Sequence, residues 1–91
     1  MEKFDTLIGT VMSTPIIEME SPFYLTFDVE VGGNVVPATF IGNKARALRN
    51  TIRVGDKVMP RNGFIDQGKL VFDFMHMEPS TAIGRNINIT V

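Results

Sequence analysis

The sequence predicts an all-β fold, a small five-stranded barrel with one short helix between the third and fourth strands. Most of the chain alternates like a half-buried strand, most clearly from Phe23 to Val31, where odd-numbered residues are apolar and even-numbered residues carry polar groups. Helical spacing occurs near residues 43–51, where Ala45, Leu48 and Ile52 share one face. Because a helix of about two turns is not stable alone, we expect it to pack against the strands.

The first predicted strand runs from Lys3 to Glu18 and contains two residues that interrupt regular strands. Gly9 indicates a bulge or a sharp bend, and Pro15 must lie at an edge or at an interruption. A connecting loop from Met19 to Pro22 then leads into the second strand at Phe23.

Turn residues divide the middle of the chain. Gly32–Asn34 predicts a hairpin into the third strand, Val35–Ile41. Asn43 is the predicted N-cap of the helix. Val54–Asp56 is predicted to form a tight turn into the fourth strand, Lys57–Ile65.

The last predicted strand, Lys69–Met77, closes the barrel. Pro60 requires the strand before it to have an edge position or a bulge. Alternation in the closing strand places three apolar residues inward, namely Leu70, Phe72 and Phe74. Residues 1–78 are therefore the expected domain and 79–91 a tail, in which Asn86–Val91 either adds a strand or stays loose.

Composition excludes several classes of protein. At 91 residues, 44% hydrophobic and 21% charged, the chain suits one small globular domain. The absence of cysteine excludes disulfides, cysteine zinc sites and thiol catalysis. The single histidine, His76, has no partners at a metal-ligand spacing, and no catalytic motif is present. We therefore expect no enzyme, no metal and no cofactor. Without a leader or an apolar run of about 20 residues, we expect a cytoplasmic protein with no membrane association.

Charge is unevenly distributed, although the net charge is only −1. Residues 1–43 contain six acidic residues and one basic residue, whereas residues 44–61 contain six basic residues and one acidic residue. This layout permits a local cationic surface on a nearly neutral protein. A short amphipathic helix that exposes its charges to water is an equally good explanation of it.

The run FIGNKARALRNTIRVGDKVMPRNGFI, residues 40–65, resembles the bacterial single-stranded-DNA-binding protein family. In that family a strand ends in a Phe-Gly-Lys-like element, an Ala/Leu helix follows, and a Lys-Gly-Asp-like turn leads into the next strand. The corresponding residues here are Ile41-Gly42, Lys44-Ala45, Leu48, Val54-Gly55-Asp56 and Val58. The resemblance implies an OB-fold, in which the first strand bends to pair in both sheets, as expected at Gly9. A small barrel of the SH3 type is the alternative and would not need the helix.

OB-folds bind nucleic acid on the exposed face of their second and third strands. Strand alternation and the nearby charges predict a groove formed by seven residues: Tyr24, Thr26, Thr39, Ile41, Lys44, Lys57 and Arg61. Bases would stack on Tyr24, and the basic residues would follow the phosphate backbone. By resemblance, Ile41 occupies the place where the family usually has a stacking phenylalanine.

The predicted function is binding of single-stranded nucleic acid without strong sequence preference. The resemblance implies DNA rather than RNA and a role in DNA replication. We also expect a homodimer or a larger homo-oligomer. Short turns and the lack of an acidic tail are similar to a reduced relative of the family, such as the primosomal replication protein. The alternative is a protein-interaction or assembly module, for which the face around Tyr24 and Met59 would serve as the interface.

Overall fold

The computed structural model describes residues 2–20 and 23–78, and for residues 19, 20 and 78 it describes the backbone alone. These residues form eight strands, β1 (Glu2–Thr6), β2 (Gly9–Val11), β3 (Ile16–Glu20), β4 (Phe23–Val31), β5 (Asn34–Ile41), β6 (Lys57–Asp66), β7 (Lys69–Phe72) and β8 (Met75–Glu78). The helix α1 (Ala45–Thr51) lies between β5 and β6. The prediction of a mostly β chain with one short helix is confirmed.

Five of the strands pair in a ring. The strand β2 pairs with β4, β4 with β5, β5 with β7, β7 with β6, and β6 with β2. All of these pairings are antiparallel except β5 with β7, which run parallel. The ring surrounds the core, so each of its strands has one face toward buried side chains and one face outward.

The first three strands follow one curved path that changes partners at Gly9. The strand β1 pairs with β6, β3 pairs with β4, and between them Thr10 lies opposite both Lys57 of β6 and Glu30 of β4. A Cβ atom on Gly9 would contact the Val29 side chain and lie 2.9 Å from the Glu30 carbonyl oxygen. The backbones of β2 and β4 therefore pass too closely at Gly9 for any larger residue, and the bend or bulge predicted there stays a prediction.

The core is built from alternating residues of the ring strands and one face of α1. Its buried apolar residues are Phe4, Val11, Leu25, Phe27, Val29, Ala38, Phe40, Ala45, Ile52, Val58, Leu70 and Phe72. The rings of Phe40 and Phe72 meet edge to face with centroids 6.0 Å apart. Ala45 and Ile52 are buried and Leu48 is half-buried. The helical stripe predicted from their spacing is therefore confirmed.

The turn that follows α1 is held to β2 by Asp56, which is fully buried. Its carboxylate oxygen Oδ2 accepts the Arg53 backbone N–H at 2.9 Å. Its carbonyl accepts the Val11 N–H at 2.8 Å, and Gly55 N–H donates to the Val11 carbonyl at 2.8 Å. The predicted Val54–Asp56 turn is confirmed, and the acidic residue in it has a structural position.

The predicted strand count and helix position were wrong. The expected Lys3–Glu18 strand is divided into β1, β2 and β3, and the expected Lys69–Met77 strand into β7 and β8. The helix consequently follows the fifth strand instead of lying between the third and the fourth. Met19 and Glu20, expected in a loop, belong to β3, and the rest of the expected Met19–Pro22 loop lies outside the described residues.

The helix N-cap was also predicted at the wrong residue. Lys44 occupies the N-cap position and makes no side-chain capping hydrogen bond. Asn43 lies one residue earlier, in a turn where Ala45 N–H donates to the Gly42 carbonyl at 3.1 Å.

Along three neighbouring stretches of sheet, β1–β2, β6 and β7–β8, the inward-facing residues change between even and odd numbers, and the three changes lie side by side. Before the change, in β1 and β7, the even-numbered residues Phe4 and Phe72 are buried. After it, in β2 and β8, the odd-numbered Val11 is buried and Met75 is half-buried. The breaks fall at residues 7–8 between β1 and β2, at Asn62 (φ 53°) in β6, and at residues 73–74 between β7 and β8. The pairing registers are the same on both sides of these breaks, so the inward-facing positions change together in all three stretches.

Phe74 lies at this switch and is 46% exposed, so its predicted place in the core was wrong. Its carbonyl accepts the Arg61 N–H at 3.1 Å, which fixes the irregular backbone there. Pro60 is fully buried within β6, opposite Met75 of β8. The predicted tail, including the Asn86–Val91 strand and the domain boundary after residue 78, lies outside the described residues.

Candidate functional site

One row of outward-facing side chains crosses six neighbouring strands. We call it the cross-strand row, and from β3 to β1 it consists of Ile16, Thr26, Thr39, Val71, Phe64 and Lys3, each directly opposite the next. Five inter-strand steps of about 4.8 Å make it roughly 24 Å long. The row therefore forms a continuous surface that a linear ligand can follow around the ring.

The cross-strand row is most exposed at its ends. Ile16 is 57% exposed and Phe64 37% exposed, whereas Thr39 in the centre is only 5% exposed. At one end, the Lys3 ammonium lies 5.8 Å from the centroid of the Phe64 ring. This is within the range of a cation–π contact. An aromatic ring and a cation are thus paired at an accessible position.

A second pair on the same face extends this surface. Tyr24 of β4 lies opposite Ile41 of β5, two residues along from the pair formed by Thr26 and Thr39. Residues two apart on a strand share a face, so these four residues form one patch. Tyr24 and Ile41 are both half-buried. Four of the seven residues predicted from the sequence are thereby brought together.

A groove opens where β5 and β7 end. Because these strands run parallel, their carboxyl ends lie side by side, and Gly42–Lys44 meets Asp73–Phe74 there. On one side of Asp73 a cavity of about 210 Å³ is lined by Ile41, Asn62, Gly63, Phe64, Val71 and Phe72. On its other side a cavity of about 440 Å³ is lined by Phe40, Gly42, Asn43, Lys44, Leu48, Phe74 and Met75. We call the two cavities together the end groove.

Basic side chains of the helix lie at the Tyr24 end of β4. Lys44 lines the end groove. The Arg46 guanidinium lies 5.7 Å from the centroid of the Phe23 ring, next to Tyr24 in the chain. Lys44, the fifth predicted site residue, is thus close to the patch, and Arg46 adds a cation that the sequence reasoning did not include.

The other two predicted site residues lie elsewhere on the ring. Lys57 shares its outward row with Thr10 and Glu30. Glu30 is six residues from Tyr24, which is roughly 20 Å along a strand. Arg61 lies on β6, where its Nη1 is 3.5 Å from His76 Nε2. The structure therefore does not bring Lys57 or Arg61 to the Tyr24 patch.

Acidic residues occupy the opposite end of β4. Asp28 and Glu30 are exposed on the outward face that also carries Tyr24. Asp28 and Glu18 line a cavity of about 230 Å³ beside Ile16. The face thus changes from basic near α1 to acidic near the β4–β5 hairpin, and a polyanion is favoured at the Tyr24 end.

Sequence reasoning missed Phe64, Val71, Lys3 and Asp73. The Asn62-Gly63 pair is the sequence signal for an irregularity in this strand, and that irregularity decides which side Phe64 faces. Asn62 indeed has a positive φ, and Gly63 leaves no room for a Cβ atom, which would lie 2.6 Å from Phe4 Cζ. A switch of alternation placed at this pair would have predicted Phe64 as outward-facing.

No family model, no curated protein and no solved structure matches the chain. In the part of the chain that the structure describes, no three His, Cys, Asp or Glu side chains are grouped as a metal site. Within that part, no helix has both the length and the apolar character needed to cross a membrane. What the outward face binds must therefore be inferred from its own geometry.

Proposed function

We propose that the chain binds single-stranded nucleic acid along the cross-strand row and the adjoining Tyr24–Ile41 pair, without strong sequence preference. The observation that carries this proposal is the continuous outward row across six strands, with the buried Thr39 at its centre and the Lys3–Phe64 pair at one end. DNA is favoured over RNA by the family resemblance alone, and so is a role in DNA replication.

The strand order supports an OB-type barrel as the proposed fold. In chain order the ring strands are β2, β4, β5, β6 and β7, and α1 lies between β5 and β6. The OB-fold is a five-stranded, partly open Greek-key barrel that binds oligonucleotides on the face of its second and third strands. In this ring those strands are β4 and β5, which carry the Tyr24 patch.

The chemistry of the face supports strand binding by stacking and charge. Tyr24 and Phe64 are partly exposed rings on which bases can stack, and stacking of this kind tolerates any sequence. Lys3 lies over the Phe64 ring, Lys44 lines the end groove, and Arg46 lies over Phe23, the chain neighbour of Tyr24. These cations can neutralise phosphates. Because few cations are involved, we expect moderate affinity and a shallow dependence on salt.

Titration of labelled oligo-dT and oligo-rU at several salt concentrations tests the proposal. Tyr24→Ala is expected to weaken binding by about ten- to a hundredfold, since stacking on one ring is worth about 1–3 kcal/mol. Lys44→Ala is expected to lower the slope of log affinity against log salt by about one unit. Lys57→Ala, which removes an equal charge away from the patch, is the matched control and should change neither quantity as much.

Two results would contradict strand binding at this face. One is an affinity unchanged by Tyr24→Ala while the helix cations alone matter, which would indicate nonspecific attraction to α1. The other is the absence of binding at low salt.

We also propose that the protein is a homodimer or a larger homo-oligomer. Among the described strands, β1, β3 and β8 each pair on one edge only. Such edges can accept a strand from a second copy. Light scattering should then give at least twice the 10.1 kDa chain mass, and a constant monomer mass over a wide concentration range would refute the proposal.

The second candidate function is a protein-interaction or assembly module. It is favoured by the apolar exposure beside the β3 edge, where Met12 is 46% and Ile16 57% exposed. Under this alternative the chain binds no nucleic acid, so Tyr24→Ala has no such affinity to weaken, whereas Ile16→Glu would abolish association with a protein partner. The two candidate functions thus predict different effects of Ile16→Glu on protein association and of Tyr24→Ala on nucleic-acid affinity.

A further inference from the structure

The end groove contains one acidic side chain, Asp73, among mainly apolar walls. Asp73 is exposed and borders both cavities of the groove. Its carboxylate makes no hydrogen bond or ion pair with another described residue. A binding surface that recognised only phosphates would gain nothing from a carboxylate at this point, because the charge repels the backbone.

The walls of the end groove suit a planar aromatic ligand. Phe64, 37% exposed, lines one cavity, and Phe74, 46% exposed, lines the other. The larger cavity, about 440 Å³, has the volume of a small-molecule site and a mainly apolar lining. Phe74 is itself held in place by an edge-to-face contact with His76, with ring centroids 5.3 Å apart.

Cations border the groove on both sides, where a strand's phosphates would lie. Lys44 lines the larger cavity, and the Lys3 ammonium lies over the Phe64 ring at the edge of the smaller one. A strand bound along the groove can therefore place its backbone near these cations and turn its bases toward Asp73. This arrangement separates the two charges: cations meet phosphates, and the carboxylate meets base edges.

An ionised carboxylate is only a hydrogen-bond acceptor. Cytosine and adenine present amino donors on their base-pairing edges, and guanine presents an amino group beside a ring N–H. Thymine and uracil present carbonyl oxygens on either side of their single N–H, and those oxygens repel a carboxylate. Acidic side chains accordingly accept hydrogen bonds from the cytosine amino group in nucleic-acid complexes.

We infer that Asp73 makes the end groove selective for bases with an exocyclic amino group over thymine and uracil. The inference rests on the proposed strand binding and adds a specificity-determining residue to it. Asp73 would accept a hydrogen bond from the base amino group while the ring stacks on Phe64 or Phe74. The preference is mild, because a single acceptor contact in an exposed groove lies at the low end of base discrimination.

The test compares oligo-dC with oligo-dT of equal length, at a slightly alkaline pH where cytosine is not protonated. For wild type and variants, the measured quantity is the ratio of the oligo-dT dissociation constant to the oligo-dC one. Asp73→Asn keeps the side-chain size but presents both a donor and an acceptor, which serve thymine as well as cytosine. We expect this variant to lower the ratio by about fivefold.

Asp66→Asn is the matched control, because Asp66 is exposed beside the β6–β7 turn and outside both cavities. It removes the same charge and should leave the ratio unchanged. Asp73→Ala, which removes the acceptor entirely, should lower the ratio as Asp73→Asn does, and thermal melting verifies that each variant is folded.

The outcomes separate this inference from the proposal beneath it. A ratio that falls in both Asp73 variants and stays constant in the control supports the inference. Equal ratios in wild type, Asp73 variants and control overturn the inference and leave strand binding intact. If the wild type binds neither oligonucleotide, both the strand-binding proposal and the inference fail.

Discussion

Replacing Asp56 with alanine is expected to destabilise the fold strongly, although an acidic residue in a turn would ordinarily be treated as a surface residue. The Asp56 side chain has no exposed surface, and its Oδ2 accepts the Arg53 N–H at 2.9 Å. Alanine removes this acceptor, and water cannot readily replace it at a buried position. The Arg53 N–H would then lose its hydrogen bond.

The size of the effect follows from these contacts. A hydrogen bond to a charged group contributes about 1.5–3 kcal/mol, and an unsatisfied buried donor costs about 1–3 kcal/mol. We therefore expect Asp56→Ala to lower the free energy of unfolding by about 2–3 kcal/mol. For a domain of this size that corresponds to a Tm lower by roughly 10–20 °C. Asp56→Asn keeps an acceptor oxygen and should lose less.

Urea unfolding followed by circular dichroism, together with thermal melting, measures both quantities. Asp66→Ala serves as the control, because Asp66 is exposed and its loss should change stability by less than about 0.5 kcal/mol. If Asp56→Ala were no more destabilising than this control, the buried carboxylate would not hold the α1–β6 turn, and the reasoning would be refuted.

Three further predictions test other parts of the structure. Gly9→Ala should lower stability by about 1–3 kcal/mol in urea unfolding, because its Cβ atom meets the neighbouring strand; an unchanged midpoint would contradict the close approach. Phe72→Ala should cost about 3–5 kcal/mol, whereas Phe74→Ala should cost less than about 1 kcal/mol, and equal losses would mean that both rings are in the core. Asp28→Asn should tighten binding of oligo-dT by about two- to threefold, the scale of one exposed charge, and no change would place Asp28 outside the interface.

Local patterns predicted the elements whose surroundings are simple. The alternation of β4 correctly identified Leu25, Phe27 and Val29 as buried, because β5 pairs with it in one constant register along its length. The spacing of Ala45 and Ile52 identified the buried face of α1. In these cases one element decides the burial of its own residues, so its own sequence is sufficient.

Phe64 and Phe74 could not be placed in the same way. Their orientation depends on a switch of alternation that three neighbouring strand paths make together, and no single path carries the whole signal. Asn62 and Gly63 mark it in β6, but residues 73 and 74 give no turn signal of their own. Strand alternation therefore did not identify most of the exposed aromatic side chains of the candidate site, although it identified buried residues in other strands.

Only some of the residues predicted to form the binding groove lie together in the structure. Strand parity placed Tyr24, Thr26, Thr39 and Ile41 on one face, since β4 and β5 form a regular hairpin. It could not place Lys57, whose position depends on the ring closing through β2. The sequence did not identify Asp73 as a groove residue either, because its place in the groove depends on the parallel pairing that brings the ends of β5 and β7 together.

The many pairings of β6 have a consequence for the protein's synthesis. This strand pairs with β1 and β2 on one edge and with β7 and β8 on the other. A nascent chain that has emerged only to residue 56 can form the β4–β5 hairpin and pair β2 and β3 with β4. The strand β1 and the second edge of β2 lack their partner β6 until it leaves the ribosome. Ribosomes add residues 57–78 in about 1–4 s at 5–20 residues per second. For those seconds the β2 edge lacks its β6 partner and can pair with a strand of another chain.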